Sequence, residues 1–221
     1  AVAGHKRAFG SDTVPGSYED IDHAELIVLV GSNTAWCHPI IFQRIKAAKA
    51  QRPNLKVVVV DPRATATLEI ADLHLPVRAG SDVLLFNAVL AELAARGALD
   101  AAYIAAHTQG FDQALQQAQQ ETRDRAAVAA TLGVADASLQ TFLDWFVATP
   151  KTLTLFSMGV NQSSAGTDKV NAIINCHLAT GRLGKPGASP MSLTGQPNAM
   201  GGREVGGLAN MLAAHLDLDD T

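Results

Sequence analysis

Three short polar clusters carry the residue types that hold a nucleotide, and each follows an apolar run. Gly31, Ser32 and Asn33 combine a permissive backbone with a hydroxyl and an amide, groups that bond a phosphate or a cofactor amide at close range. Asp61 offers a carboxylate to a ribose hydroxyl. Asp82, behind Gly80 and Ser81, has two oxygens that match the N1–H and N2–H₂ donors of a guanine edge. Each cluster is equally explained as a turn or a helix cap, so both readings stand on the residues alone. Cys37 and His38 lie at an expected helix start, where a thiol is a candidate nucleophile, but no activating base is identifiable. Arg203, in GGREVGG, has no evident packing role; it is placed either to draw in an oxyanion or to pair with Glu204. Cys176, His74 and His107 read as structural.

The elements between these clusters explain why they would meet. Leu26 to Gly31 is an aliphatic run with no polar interruption, the pattern of a strand buried on both faces of a parallel sheet, and LKVVVVD, Leu55 to Asp61, reads as a second buried strand with an acid at its end. Pro39 to Ala50 between them has Ile40, Ile41, Ile45 and Ala48 at helical spacing. A shorter strand is expected in ADLHLPV, then a helix DVLLFNAVLAELAARG that Gly97 ends, then about three short helices between Asp100 and Ala148. Thr152 to Met158 returns to strand and Thr167 to Thr180 to helix. Residues 1–20 read as an irregular lead-in. Gly181 to Gly207, with eight glycines and three prolines, reads as a long functional loop, partly disordered because little of it can bury apolar surface.

The fold this predicts is α/β: a Rossmann-like open, mostly parallel sheet with flanking helices, a helical insertion and a Gly-rich C-terminal segment. The expected division is a lead-in at 1–24, a cofactor-binding domain at 25–160 with its insertion near 100–148, and a return helix with a funnel segment at 161–221. In an open parallel sheet the loops Gly31 to Cys37, Asp61 to Thr65, Gly80 to Asp82 and Met158 to Ser164 converge on one edge, where ligands bind.

Composition narrows the setting. Of 221 residues 48% are hydrophobic and 17% charged, as in ordinary globular proteins, and the net charge of −4 gives no support for a nucleic-acid or membrane-surface partner. Two cysteines without a CxxC pair provide neither a disulfide framework nor a self-contained metal site, so no metal ligand is expected here, and a reduced, cytoplasmic setting is. The opening stretch lacks an initiator Met and reads as part of something longer.

Taken in order, GSNTAWCHP, VVVVDPRATAT, AGSD, MGVNQSSAGTDKVNAIINCHLATGRLGKPG and LTGQPNAMGGREVGG resemble the catalytic subunits of molybdopterin-dependent oxidoreductases, those of bacterial assimilatory nitrate reduction above all. The resemblance implies a bis-molybdopterin guanine dinucleotide cofactor with molybdenum. It implies further that Gly31, Ser32 and Asn33, with Cys37 and His38 just beyond, approach one pyrophosphate and pterin. Asp61, Pro62 and Arg63 would lie at a guanosine ribose, and Gly80, Ser81 and Asp82 at its guanine. Met158 and Gln162 match positions that reach the cofactor near the metal. Gln196 to Arg203 resembles the wall of a substrate funnel, with Arg203 suited to nitrate.

In relatives an iron-sulfur cluster and a molybdenum-ligating cysteine precede the matching region, and a further domain completes the second guanosine site. The resemblance therefore implies nitrate as substrate, an electron-donor protein or domain, and remaining domains of the same polypeptide as partners, with the 221 residues alone inactive. Two competitors remain: a formate dehydrogenase of the same family, and a free-standing guanine-nucleotide-binding module.

Overall fold

The computed structural model describes residues 1–195, 198–207 and 212–216, except the side chains of Met200, Arg203 and His215. Elements run in the order α1 (Val2–Phe9), β1 (Leu26–Val30), α2 (Thr34–Cys37), α3 (Pro39–Gln51), β2 (Lys56–Val60), β3 (Leu73–Leu75) and α4 (Asp82–Ala95). Helices α5 (Ala101–His107), α6 (Phe111–Glu121), α7 (Arg125–Leu132) and α8 (Asp136–Ala148) follow. The chain then forms β4 (Thr152–Phe156), α9 (Met158–Asn161), α10 (Gly166–Ala179), β5 (Ser189–Ser192) and α11 (Ala199–Glu204).

All strand pairs are parallel, in the order β3-β2-β1-β4-β5. Strand β1 is central and each of its five residues is buried, which is what an unbroken aliphatic run requires. Because successive side chains point to opposite faces, Leu26, Val28 and Val30 join one core with α4, the α6–α8 insertion and α10. Ile27 and Leu29 join the other, against Phe42 and Ile45 of α3. The chain winds one way from β1 to β3 and then returns to β4 on the opposite flank, so the order reverses between β1 and β4.

Three expectations change. Residues 1–20 are not an irregular lead-in: α1 packs on α10, and Gly4 lies so close to Val170 that a Cβ there would stand 2.5 Å from Val170 Cγ1. The insertion has four helices rather than about three, because Gly110 and Asp124 each start a new helix and Gly133 ends one. The Gly-rich stretch is not structureless between 181 and 195, because β5 pairs with β4 from Leu153↔Ser189 to Phe156↔Ser192 and is buried throughout. Among the described residues no single helix is long and apolar enough to cross a membrane.

Beneath β4 lies a buried polar cluster. His177 Nε2 and Thr154 Oγ1 share a 2.8 Å hydrogen bond, and Arg182 lies over the Phe146 ring, 4.7 Å from its centroid, while its Nη2 donates to Phe146 O. Burial, with Arg182 nearby, drives His177 well below its ordinary 6.5, and burial lowers Arg182 to about 10. Cys176 beside them is pushed up to about 12 by burial, consistent with an inert core thiol. In the unfolded chain His177 takes a proton near pH 6.5, whereas in the folded chain it does not. Stability is therefore complete above that pH and falls below it, by about 1.4 kcal/mol per pH unit for this one proton. Urea unfolding at pH 7.5 and 5.5 should show the loss, and His177→Gln should flatten it.

Candidate functional site

The reversal between β1 and β4 opens a cleft of about 580 Å³ at the carboxyl edge of the sheet. At its floor the loops after β1 and β4 cross backbone to backbone. Gly31 has φ +54° and its carbonyl accepts from Gly159 N–H at 3.0 Å. A Cβ on Gly31 would stand 2.8 Å from Gly159 Cα, and one on Gly159 2.7 Å from Gly31 Cα. Only glycine satisfies both the dihedral and the contact. Behind them Ser157 Oγ donates to Leu193 O, and Asn161 Nδ2 to Ser192 Oγ, so β5 holds the far wall of the cleft.

Around that floor stand polar groups with spare capacity. Thr67 Oγ1 accepts from Ala35 N–H and donates to Asn33 Oδ1, so the NH₂ group of Asn33, a residue that lines the cleft, is not used in that bond. Asp61 is buried; its Oδ1 accepts from Arg63 N–H at 2.9 Å, and its backbone carbonyl bonds His74 Nε2, the structural role expected of that histidine. The Arg63 guanidinium lies 3.5 Å from Asp61 and is largely exposed. Ser163 Oγ is buried at the cleft with no hydrogen-bond partner. The 14-residue helices α4 and α10 both begin at this edge and add the positive ends of their dipoles.

Nine expected residues line the cleft together: Gly31, Asn33, Cys37, Asp61, Pro62, Arg63, Gly80, Asp82 and Met158. Four expected side chains do not. Ser32 is buried behind the loop with its Oγ on Thr34 Oγ1, His38 Nε2 bonds Thr194 O, Ser81 Oγ turns back to Arg78 O, and Gln162 is exposed beyond α9. Ser32 and Ser81 satisfy local turn bonds, and His38 a long-range bond to the main chain just beyond β5, before any of them could reach a ligand. Gln196 lies outside the described residues, as does the Arg203 side chain, though the Arg203 backbone belongs to α11.

Two cationic residues at the cleft stand outside the expected site residues, although Lys169 belongs to the stretch MGVNQSSAGTDKV. Arg78 is exposed, its stem running over Gly133, and it makes no ion pair among the described residues. Lys169, in the first turn of α10, is buried and its Nζ lies 2.6 Å from Asp82 Oδ2. One pattern could have revealed Lys169: it stands four residues before Ile173 and eight before His177, on the buried stripe of its helix. Among the described residues no group of three or more His, Cys, Asp or Glu could hold a metal ion.

The cleft thus brings together two carboxylates, cationic side chains, two helix starts and a floor of glycine main chain, groups complementary to phosphate, hydroxyl and amide functions. Residues 3–219 match the molybdopterin oxidoreductase family. The chain belongs to that family. It is 53% identical to the nitrate reductase of Shewanella frigidimarina over 216 residues, covering 98% of this chain and 23% of that one. With the nitrate reductase of Klebsiella oxytoca identity is 52% over 219 residues, covering 99% and 24%. Formate dehydrogenase subunits are more distant; the F420-dependent alpha subunit of Methanocaldococcus jannaschii is 31% identical over 219 residues, covering 99% and 32%. The family fold also appears in acetylene hydratase from Pelobacter acetylenicus, with a TM-score of 0.71 and 21% identity over 86% of this chain and 25% of that structure. The chain thus spans about a quarter of the length of the nitrate reductases it matches.

Proposed function

We propose that this chain is the cofactor-cradling part of a longer molybdenum-dependent nitrate reductase, and that its cleft holds the pyrophosphate and guanosine end of a molybdopterin guanine dinucleotide. The observation that carries the reading is the convergence of Gly31, Asn33, Asp61 and Asp82 on one cleft at the strand reversal. The donor set fits the group. Asn33 and Ser163 bring unspent polar atoms, and Gly31 and Gly159 leave the main chain open to a pyrophosphate. Arg63 and Arg78 answer its charge, and Asp61 and Asp82 suit hydroxyl and base donors.

The chemistry expected of the bound group is two-electron transfer of an oxygen atom from nitrate, leaving nitrite, with electrons arriving through an iron-sulfur cluster held outside this chain. These residues bind and orient rather than ligate the metal. Nitrate is preferred to formate because two relatives named nitrate reductase are more than 50% identical, whereas the formate dehydrogenase subunit is 31% identical. An electron-donor protein, the remaining domains of the polypeptide, a role for Gln196 and Arg203 in the approach of nitrate, and a cytoplasmic setting belong to the same proposal.

Purified full-length enzyme should form nitrite from nitrate with a reduced viologen donor, and acid treatment should release GMP in proportion to molybdenum. The 221-residue chain alone should form none. Formate oxidation without nitrate turnover would overturn the substrate, and molybdenum without GMP would overturn the guanosine site.

A further inference from the structure

We infer that Lys169 and Asp82 act as one composite reader of the guanine base, the Lys169 ammonium taking O6 while the Asp82 carboxylate takes N1–H and N2–H₂. The inference deepens the proposed function and rests on its guanosine assignment. Guanine presents an acceptor, O6, immediately beside two donors. An ammonium only donates and a carboxylate only accepts, so a Lys–Asp pair set side by side is the complementary surface. Here the two charged ends are 2.6 Å apart at the cleft, with side chains only 4% and 10% exposed.

Spare capacity favours a ligand over a purely structural pair. Lys169 Nζ has three donors and bonds only Asp82 among the described residues; Asp82 Oδ1 likewise has no bond there. A buried ion pair is stable only when its remaining donors and acceptors are also satisfied, and a guanine edge would satisfy them. Adenine presents the reverse order, an amino group where O6 stands and a bare nitrogen where N1–H stands. It would set donor against ammonium and acceptor against carboxylate. Asp82 alone discriminates through N1–H and N2–H₂, so Lys169 adds rejection of the 6-amino group.

The test is equilibrium binding of GDP, IDP and ADP to cofactor-free protein, for the wild type, Lys169→Met, Lys169→Gln and Asp82→Asn, each first checked for folding by urea unfolding. The wild type should prefer GDP to ADP by about a hundredfold, and to IDP, which lacks only the 2-amino group, by about tenfold. Lys169→Met should weaken GDP and IDP alike, by roughly ten- to a hundredfold, and leave ADP unweakened. The GDP:IDP ratio would then hold while the GDP:ADP ratio falls. Lys169→Gln keeps an N–H donor and should recover part of the loss; Asp82→Asn should erase the GDP:IDP preference. If all three nucleotides weaken together in both lysine variants, or the GDP:ADP ratio does not move, Lys169 does not read the base. A wild-type protein that binds GDP and ADP equally would remove the guanosine assignment itself.

Discussion

Lys169→Met is expected to destabilise the protein by about 3–5 kcal/mol, because it leaves the buried Asp82 carboxylate without its counter-charge. Both partners lie at helix starts, Asp82 at the first residue of α4 and Lys169 in the first turn of α10, and the two helices pack on each other. The loss should therefore be felt at the whole α4–α10 face of the core rather than at one loop. Adding Asp82→Asn removes the unpaired charge, so the double variant should recover at least half of the single variant's loss. Urea unfolding of the wild type, both single variants and the double variant measures the coupling directly. Additive effects within about 0.5 kcal/mol would mean that the two groups do not interact.

Gly31→Ala should cost on the order of 2–4 kcal/mol. About one comes from placing a non-glycine residue at φ +54°, and the rest from a methyl group 2.8 Å from a main-chain atom that cannot rotate away. Because Gly159 N–H donates to Gly31 O, any adjustment pulls apart the floor that joins the loops after β1 and β4. Binding of GDP should fall along with stability. At Gly80, where φ is +94° but nothing lies within 4 Å of an added Cβ, alanine should cost only the dihedral part. Unfolding midpoints that are equal for the two variants would show that the close crossing carries no energy.

The contrast between what the residues announced and what they hid is physical. Strands β1 and β2 were legible because burial on both faces favours apolar runs, and β4 because its threonines and leucines have high strand propensity; the ends of β1, β2 and the short β3 fixed where Asn33, Asp61 and Asp82 would meet. Strand β5, Ser-Pro-Met-Ser, has no such run; it is a strand because β4 offers it a partner, and that is tertiary information. Helix α1 was obscured by Gly4, which is there for close approach to α10 rather than to break a helix. Ser32 was read as a ligand group by type, and His38 and Ser81 through the resemblance, whereas backbone carbonyl and hydroxyl groups of the protein claim them first. Lys169 lies within the fourth resembling stretch, MGVNQSSAGTDKVNAIINCHLATGRLGKPG, but its type does not single it out there. Only its place on the apolar stripe of α10 marks it, since an unpaired lysine is almost never buried.

The flanks of the sheet bear on how the protein behaves at high concentration. Its outer strands are three and four residues long, and the second contains Pro190, which has no amide hydrogen to offer a newcomer. A neighbouring molecule therefore finds no extended row of peptide groups on which to add a strand, and fibre-like stacking through either rim is discouraged. The short borders that made β3 and β5 hard to read are the same ones that keep the sheet from growing.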